Sequence, residues 1–185
     1  MAAVPGVAEL LSRVGYRTIS WSMATDDFHA HGRAGIEKLV LATHKHGMAV
    51  SEINVELDMV TLDADVRSAT ATFFKEVIQA VAEGGISTIK TYTGPIPWIP
   101  NALRIPDDIT EGDAWVSVSS ILQEVLPTAE QHNVSINIEA VSGISVMTIT
   151  PLTASSGCLW HISRISAAIS KQTMNSTALL FGRRG

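Results

Sequence analysis

The sequence contains little cysteine, few basic residues and no long apolar runs. Cys158 is the single cysteine in 185 residues, which excludes an intrachain disulfide and a cysteine-rich zinc site. A lone cysteine is typical of a reducing compartment, so we expect a cytoplasmic protein. No stretch of about 18 apolar residues occurs, and we expect no transmembrane helix. The N-terminus also lacks the basic start and apolar run of a signal peptide.

Basic residues number 13 against 18 acidic ones, which gives a net charge of −5 at pH 7. Proteins that bind nucleic acid usually show the opposite balance, because neutralising phosphates supplies most of their non-specific affinity. We therefore expect no nucleic-acid partner, and no membrane partner. The hydrophobic share of 46% is enough for one globular domain with a core.

All 18 acidic residues lie between Glu9 and Glu139, so the last 42 positions contain none. The same 42 residues, 144–185, contain four basic residues and 12 serines or threonines. A break of this kind marks a boundary between segments of different character. The sequence predicts a domain over residues 1–143 and an atypical, irregular C-terminal tail over residues 144–185.

The same order of features occurs four times before Gly143. Each repeat has a helical pattern, then a glycine or polar stop, then a short β-rich run. The β-rich runs start near residues 17, 49, 86 and 134, which are 32, 37 and 48 residues apart. A strand–helix–strand unit takes roughly 30 residues or more, so the spacing predicts parallel strands in an α/β fold. An open doubly wound sheet and a (β/α) barrel both satisfy this spacing. The predicted strands are Arg17–Ser22, Ala49–Asn54, Ile86–Tyr92 and Val134–Glu139.

The third helical pattern is the strongest. Asp63 and Asp65 stand where acidic residues favour a helix start. The apolar residues at helical spacing, which we predict to form its buried face, are Val66, Ala69, Phe73, Val77 and Val81.

Glu139 is the best single candidate for chemistry. It ends a β-rich run whose other residues are apolar or small, so its carboxylate must be solvated at the strand mouth, paired or bound to a metal. A salt-bridged or mouth-exposed carboxylate explains the pattern about as well as catalysis does.

Aromatic and histidine residues supply further candidates. Tyr92 and Trp98, beside a proline-rich connection, form either one wall of a small-molecule pocket or ordinary packing. Asn54, at the end of the second run, is a third substrate-binding candidate. His29 and His31 have a spacing capable of metal binding, but we favour solvated loop histidines.

The order of these segments resembles a known family. The stretch GIEKLVLATHKHGMAVSEINVELD, then AEGGISTIKTYTGP, then EGDAW leading to VSINIEAVSG, is similar to xylose-isomerase-like TIM barrels of the sugar phosphate isomerase/epimerase family. The likeness covers about residues 7–143. It implies a partial, truncated (β/α)8 TIM barrel in which strands two to five are recognisable.

The resemblance also implies an activity. The position matched by Glu139 is a divalent-metal ligand in that family and an acid/base for proton transfer next to a carbonyl. The metal, Mn²⁺, Mg²⁺ or similar, polarises the oxygens of a sugar or sugar phosphate. The family's other ligands, an Asp, a His and a second Glu, have no counterpart in the acid-free tail, so an inactive fragment is an open alternative.

Two other functions stay open. An endonuclease-IV-like DNA-repair enzyme on the related barrel needs a histidine-rich zinc cluster, and two of the predicted strand ends lack histidine. A non-catalytic remnant or interaction module is the other. Half a barrel leaves sheet edges and apolar faces uncovered, so we expect it to aggregate or to form a homo-oligomer.

Overall fold

A computed structural model describes residues 4–94 and 108–139, in which helices and strands alternate. The predicted tail over residues 144–185, including Cys158, lies outside the described residues, as does Trp98. The elements are α1 (Val4–Val14), β1 (Thr18–Met23), α2 (Thr25–His44), β2 (Ala49–Val55), α3 (Ala64–Glu83), β3 (Thr88–Thr91), α4 (Glu111–Gln131) and β4 (Ser135–Ile138).

All four strands are parallel and form one sheet in the order β1-β2-β3-β4. Each strand therefore pairs with its neighbour in sequence, as in a (β/α) barrel. A doubly wound sheet reverses its strand order at a switch point, and these four strands contain no such reversal. The prediction of parallel strands joined by helices is confirmed, and the order selects a partial barrel from the two architectures.

The hydrophobic core lies between one face of this sheet and the helices. Ile53, Ile89 and Ile136 stand side by side in register on three neighbouring strands and are almost fully buried. They belong to the same apolar cluster as Phe74 of α3 and Ile121 of α4. Strand side chains alternate between the two faces, so this row marks the face that the helices cover.

Helix α3 begins where the sequence indicates, directly after Asp63. The Asp63 carboxylate accepts hydrogen bonds from the backbone N–H groups of Asp65 and Val66 and thereby caps the first turn. Just after the helix, Gly85 adopts φ +76°, a conformation that glycine reaches without steric cost.

The predicted buried face of α3 is only partly correct. Phe73, Val77 and Val81 are buried, but Val66 and Ala69 are exposed. The buried stripe includes Phe74 and Ile78, which are both fully buried. Successive residues turn by about 100° around a helix, so a stripe that includes Phe74 leaves Val66 and Ala69 at or beyond its edge.

None of the helices within residues 4–94 and 108–139 has the length and apolar character needed to span a bilayer.

Candidate active site

The sheet face that the helices do not cover is polar across all four strands. Asn54, Lys90 and Asn137 stand in register beside one another, each one residue after an isoleucine of the buried row. Ser22 of β1 pairs with Asn54 and extends the row to the edge strand. In a barrel this face is the interior, and its carboxyl end is where active sites are built.

Glu139 follows β4 at the carboxyl end of this polar face. Its backbone N–H donates to the carbonyl of Thr91 at 2.9 Å, which continues the β3–β4 ladder by one residue. Its carboxylate Oε2 lies 3.1 Å from Nζ of Lys90 on the neighbouring strand. The side chains of Lys90 and Glu139 are 28% and 39% exposed, so the pair is reachable from solvent.

Tyr92 comes directly after β3 and is buried. Its hydroxyl is hydrogen-bonded to the side chains of Glu139 and Asn54. Burial raises the pKa of Tyr92 above its ordinary value, and the negative charge of Glu139 raises it further. The hydroxyl is therefore held protonated between a carboxylate and an amide.

The side-chain oxygen of Asn54, Oδ1, is an unusual buried acceptor. The residue is only 4% exposed, and its Nδ2 donates to Oγ of Ser22 at 3.0 Å, yet its Oδ1 has no hydrogen-bond partner among the described residues. The Oγ1 of Thr93, which is also buried just beyond β3, likewise has no partner in that part of the chain. Buried acceptors without a donor are rare because they lose their hydration uncompensated. A ligand hydroxyl would supply the missing donor to Asn54.

The structure brings together three of the four residues singled out as site candidates. Glu139, Tyr92 and Asn54 lie at or just beyond the carboxyl ends of neighbouring strands and are connected through the Tyr92 hydroxyl. Trp98 lies outside the described residues. Sequence reasoning missed Lys90, although its position two residues before Tyr92 places it on the same face of β3.

The predicted loop position of His29 and His31 is wrong, because both residues lie in α2. Asp26 and Asp27 occupy the first turn, where acidic residues favour a helix, and Gly32 interrupts the helix later with φ 47° and ψ −137°. The His29 ring packs against Phe73, with the ring centroids 4.6 Å apart.

The residues at the carboxyl end of the sheet do not form a complete metal site. Across residues 4–94 and 108–139, no three His, Cys, Asp or Glu side chains lie together in a way that could hold a cation. The carboxylate of Glu139 and the free oxygen of Asn54 are fewer than the roughly six oxygen ligands that a hard cation takes. The described residues therefore supply part of a coordination shell at most.

The family model of the xylose isomerase-like TIM barrel matches residues 8–171. The chain belongs to this family. The match extends beyond Gly143, where the acid-free segment begins. No curated protein matches the chain significantly.

Solved structures with the same fold include three barrels at low sequence identity. D-psicose 3-epimerase with D-tagatose from Clostridium cellulolyticum H10 has a TM-score of 0.61 and 16% identity, over 76% of this chain and 48% of that one. A sugar phosphate isomerase/epimerase from Parabacteroides distasonis ATCC 8503 gives 0.51 and 15%, over 72% and 44%. The IolI protein with a zinc atom gives 0.51 and 17%, over 74% and 49%.

The chain thus spans about half the length of these solved barrels. At such identities the likeness establishes the fold. Sugar isomerases and epimerases are members of the superfamily.

Proposed function

We propose that this chain acts as a sugar isomerase or epimerase that moves a proton on a carbon next to a carbonyl. The observation that supports this most directly is the convergence of Glu139, Tyr92, Asn54 and Lys90 at the carboxyl end of a parallel sheet. In this proposal the Glu139 carboxylate is the acid/base. A carboxylate within reach of the substrate carbon can accept its proton and return it to the adjacent carbon; isomerisation is complete when a second proton has also moved from the hydroxyl oxygen to the former carbonyl oxygen. Epimerisation requires a second acid on the opposite side of the carbon.

The neighbours of Glu139 have distinct parts in this chemistry. Lys90 places a positive charge 3.1 Å from the carboxylate, where it also can donate to a substrate oxygen that gains negative charge. Tyr92 orients the carboxylate through its hydroxyl. Asn54 offers its unpartnered Oδ1 to a substrate hydroxyl, and a sugar presents several such donors.

Dependence on a divalent cation, Mn²⁺, Mg²⁺ or similar, is part of the proposal. It is supported by membership of the family and by the zinc atom in the IolI structure. Glu139 is the described residue that we propose as a ligand. Because the described residues do not complete a coordination shell, the proton transfer above is assigned to side chains alone.

The proposed substrate is a small sugar or sugar phosphate. This is supported by the structures with D-fructose and D-tagatose among the similar barrels, and by the polar sheet face with its unpartnered acceptor. Trp98 remains a predicted substrate-binding residue. The proposal includes no nucleic-acid or membrane partner and a cytoplasmic location.

Exchange of carbon-bound hydrogen with solvent tests this function whichever sugar is the product. A panel of ketoses and aldoses, with and without phosphate, is incubated with the chain in D₂O, with and without added Mn²⁺ or Mg²⁺, and followed by NMR. We expect deuterium next to the carbonyl. Glu139→Gln should slow this exchange by roughly 100- to 10,000-fold, because it removes the acid/base.

Glu52→Gln is the matched control. Glu52 lies on the same sheet face as Asn54, two residues nearer the amino end of β2, and the same change there should leave exchange unaltered. Equal rates for the two variants, or no exchange with any sugar and metal, would contradict the proposal. Cleavage of abasic DNA by a zinc-loaded sample would instead support the DNA-repair alternative.

A further inference from the structure

The two ends of the strand layer differ sharply in charge. The segments that follow each strand, up to the first turn of the next helix, contain ten acidic residues and one basic residue. These segments, called here the carboxyl-end segments, are 24–28, 56–67, 92–94, 108–114 and Glu139. The segments that precede each strand, together with the last turn of the helix before it, contain two acidic and three basic residues. They are 11–17, 41–48, 80–87 and 128–134.

Helix formation explains only part of this negative charge. Acidic residues in the first turn stabilise a helix through its dipole, and Asp26 of α2 and Asp65 of α3 have such positions. Glu56, Asp58 and Glu139 lie outside the first turn of any described helix. The acidic residues directly beyond β2 and β4 are therefore not required by the helices.

Glu56 stands in line with the candidate site. The last residues of β2, β3 and β4 pair in register, so the residues that follow them, Glu56, Tyr92 and Glu139, lie side by side. Burial raises the pKa of Tyr92 most, Glu139 raises it further, and the charge of Glu56 also raises it, which indicates that the Glu56 carboxylate is within electrostatic range of this hydroxyl. With Oδ1 of Asn54, this end of the polar face presents mainly hydrogen-bond acceptors.

The positive side chains at this end already have acceptors within the chain. Nζ of Lys90 lies 3.1 Å from the carboxylate of Glu139. The one basic residue of the carboxyl-end segments is Arg67, whose Nη1 donates to the carbonyl oxygens of Thr61 and Leu62 at 3.2 and 2.9 Å. Neither cation gives the described part of the mouth a net positive charge.

The helix N-termini at this end are also occupied by acidic side chains. Backbone N–H groups at a helix N-terminus are a common binding site for phosphate. In α3, the N–H groups of Asp65 and Val66 donate to the carboxylate of Asp63. In α4, the Asp113 N–H donates to Oγ1 of Thr110, and the Asp113 carboxylate accepts from the Thr110 N–H. A phosphate that approached these termini would meet the carboxylates of the chain.

We propose that the substrate of this site is an uncharged, unphosphorylated sugar, and that the carboxyl-end segments discriminate against sugar phosphates. The inference rests on the proposed isomerase or epimerase function. Sugar hydroxyls donate to carboxylate and amide oxygens, which this end of the sheet supplies. A phosphate group has a charge of about −1.5 to −2 near pH 7 and needs donors instead. The negative field over the mouth lowers the local concentration of such an anion.

Hydrogen exchange in D₂O with matched substrate pairs tests this inference. D-fructose is compared with D-fructose 6-phosphate, and D-tagatose with D-tagatose 6-phosphate, at one fixed concentration of Mn²⁺. We expect kcat/KM to be at least roughly 10-fold higher for the unphosphorylated sugar of each pair. Raising NaCl from about 20 to about 200 mM should narrow this difference, because salt screens the repulsion of the phosphate. Equal or higher values for the phosphates would overturn the inference and leave the proposed function intact.

Charge variants identify the source of the discrimination. Glu56→Gln combined with Asp58→Asn should raise the ratio of kcat/KM for the phosphate to that for the sugar roughly fivefold, because it removes two negative charges near the mouth. An asparagine at position 58 keeps a side-chain oxygen for the Val60 N–H, which Asp58 now accepts at 3.0 Å. The matched control is Glu9→Gln combined with Glu83→Gln, which changes the net charge equally outside the carboxyl-end segments. Equal ratios in the two double variants would also overturn the inference.

Binding measurements separate this inference from the proposed function. Absence of exchange with every sugar would contradict the proposed function alone, since calorimetric titration of the unaltered chain with each pair measures affinity without turnover. We expect the sugar to bind more tightly than its phosphate. Tighter binding of the phosphate, or no binding of either ligand, would overturn the inference. Circular dichroism of each variant verifies the fold.

Discussion

The two faces of the sheet differ completely although they alternate along the same strands. Ile53, Ile89 and Ile136 form a buried row against the helices, and the next residues, Asn54, Lys90 and Asn137, form a polar row on the opposite face. Apolar burial stabilises the fold at about 25 cal/mol per Å². The polar row contributes little apolar burial and therefore little of this stabilisation. The residues that stabilise the fold and the residues available for chemistry thus lie on opposite faces of one sheet, as the interior of a barrel near its active site requires.

This division corrects one sequence-based expectation. The sequence predicts uncovered apolar faces for half a barrel, but the uncovered sheet face within the described residues is polar. Most of the exposed large apolar side chains lie instead on helices, as at Leu10 and Val14 of α1 and at Val116 of α4.

The largest expected effect is a difference in the free energy of unfolding between substitutions at two adjacent positions of β3, one on each face of the sheet. Ile89→Ala should lower the free energy of unfolding by about 2–5 kcal/mol, because it leaves a cavity in the core. Lys90→Met should change it by less than about 1 kcal/mol, because the ion pair with Glu139 is partly exposed. Urea denaturation of both variants at one protein concentration measures the difference. Similar losses at the two positions would show that the polar face is part of the core after all.

A smaller effect is expected at Asn54, where the polar face is buried. Asn54→Leu removes an orphaned Oδ1, whose desolvation costs about 1–3 kcal/mol, and also loses the hydrogen bonds to Ser22 and Tyr92, which contribute about 0.5–1.5 kcal/mol each. The opposing contributions should nearly cancel, so the free energy of unfolding should change by less than about 1 kcal/mol. Substrate affinity should fall.

Asn137→Leu is the control for Asn54, because it lies in the same polar row on β4. It should also be nearly neutral in stability but should not weaken substrate binding to the same extent. A loss above about 2 kcal/mol in Asn54→Leu would mean that Asn54 is a structural residue and that its Oδ1 has a partner in solution.

Local patterns predicted the elements well. The run Ala49–Asn54 became a strand over Ala49–Val55, and Val134–Glu139 became Ser135–Ile138, because alternation and the flanking stops are local properties. The fourth helical pattern became the helix Glu111–Gln131. The buried face of α3 was less predictable, because neighbouring helices and the sheet together decide which side is covered.

From the sequence, the site could be predicted only to the extent that it follows from the order of the strands along the chain. Residues that end parallel strands meet at one edge, so Glu139, Tyr92 and Asn54 could be proposed from the sequence. The ion pair of Lys90 with Glu139 depends on the register of β3 against β4, where Lys90 pairs with Asn137, two residues before Glu139 on the same face. The sequence of either strand alone does not determine that register.

The smallest predicted effect tests whether the Glu139 carboxylate and the Tyr92 hydroxyl interact electrostatically on the polar face. The chain has two tyrosines, so in a Tyr16→Phe background the tyrosinate absorbance reports Tyr92 alone. Its pKa should lie above the ordinary 10.0, because burial and then the Glu139 charge disfavour the ionised form. Adding Glu139→Gln keeps a hydrogen-bond acceptor but removes the charge. The pKa should therefore fall toward 10.0 without reaching it, because the hydroxyl stays buried.

The same shift determines how stability depends on pH. Since the folded state keeps Tyr92 protonated, the stability it contributes is complete below pH 10.0 and declines as the pH rises from there through the raised folded pKa. Glu139→Gln should weaken this alkaline decline, and Glu52→Gln, which alters a carboxylate nearer the amino end of the sheet, should not. If both variants leave the Tyr92 titration unchanged, the carboxylate is not beside the hydroxyl in solution, and the site must be redrawn without that contact.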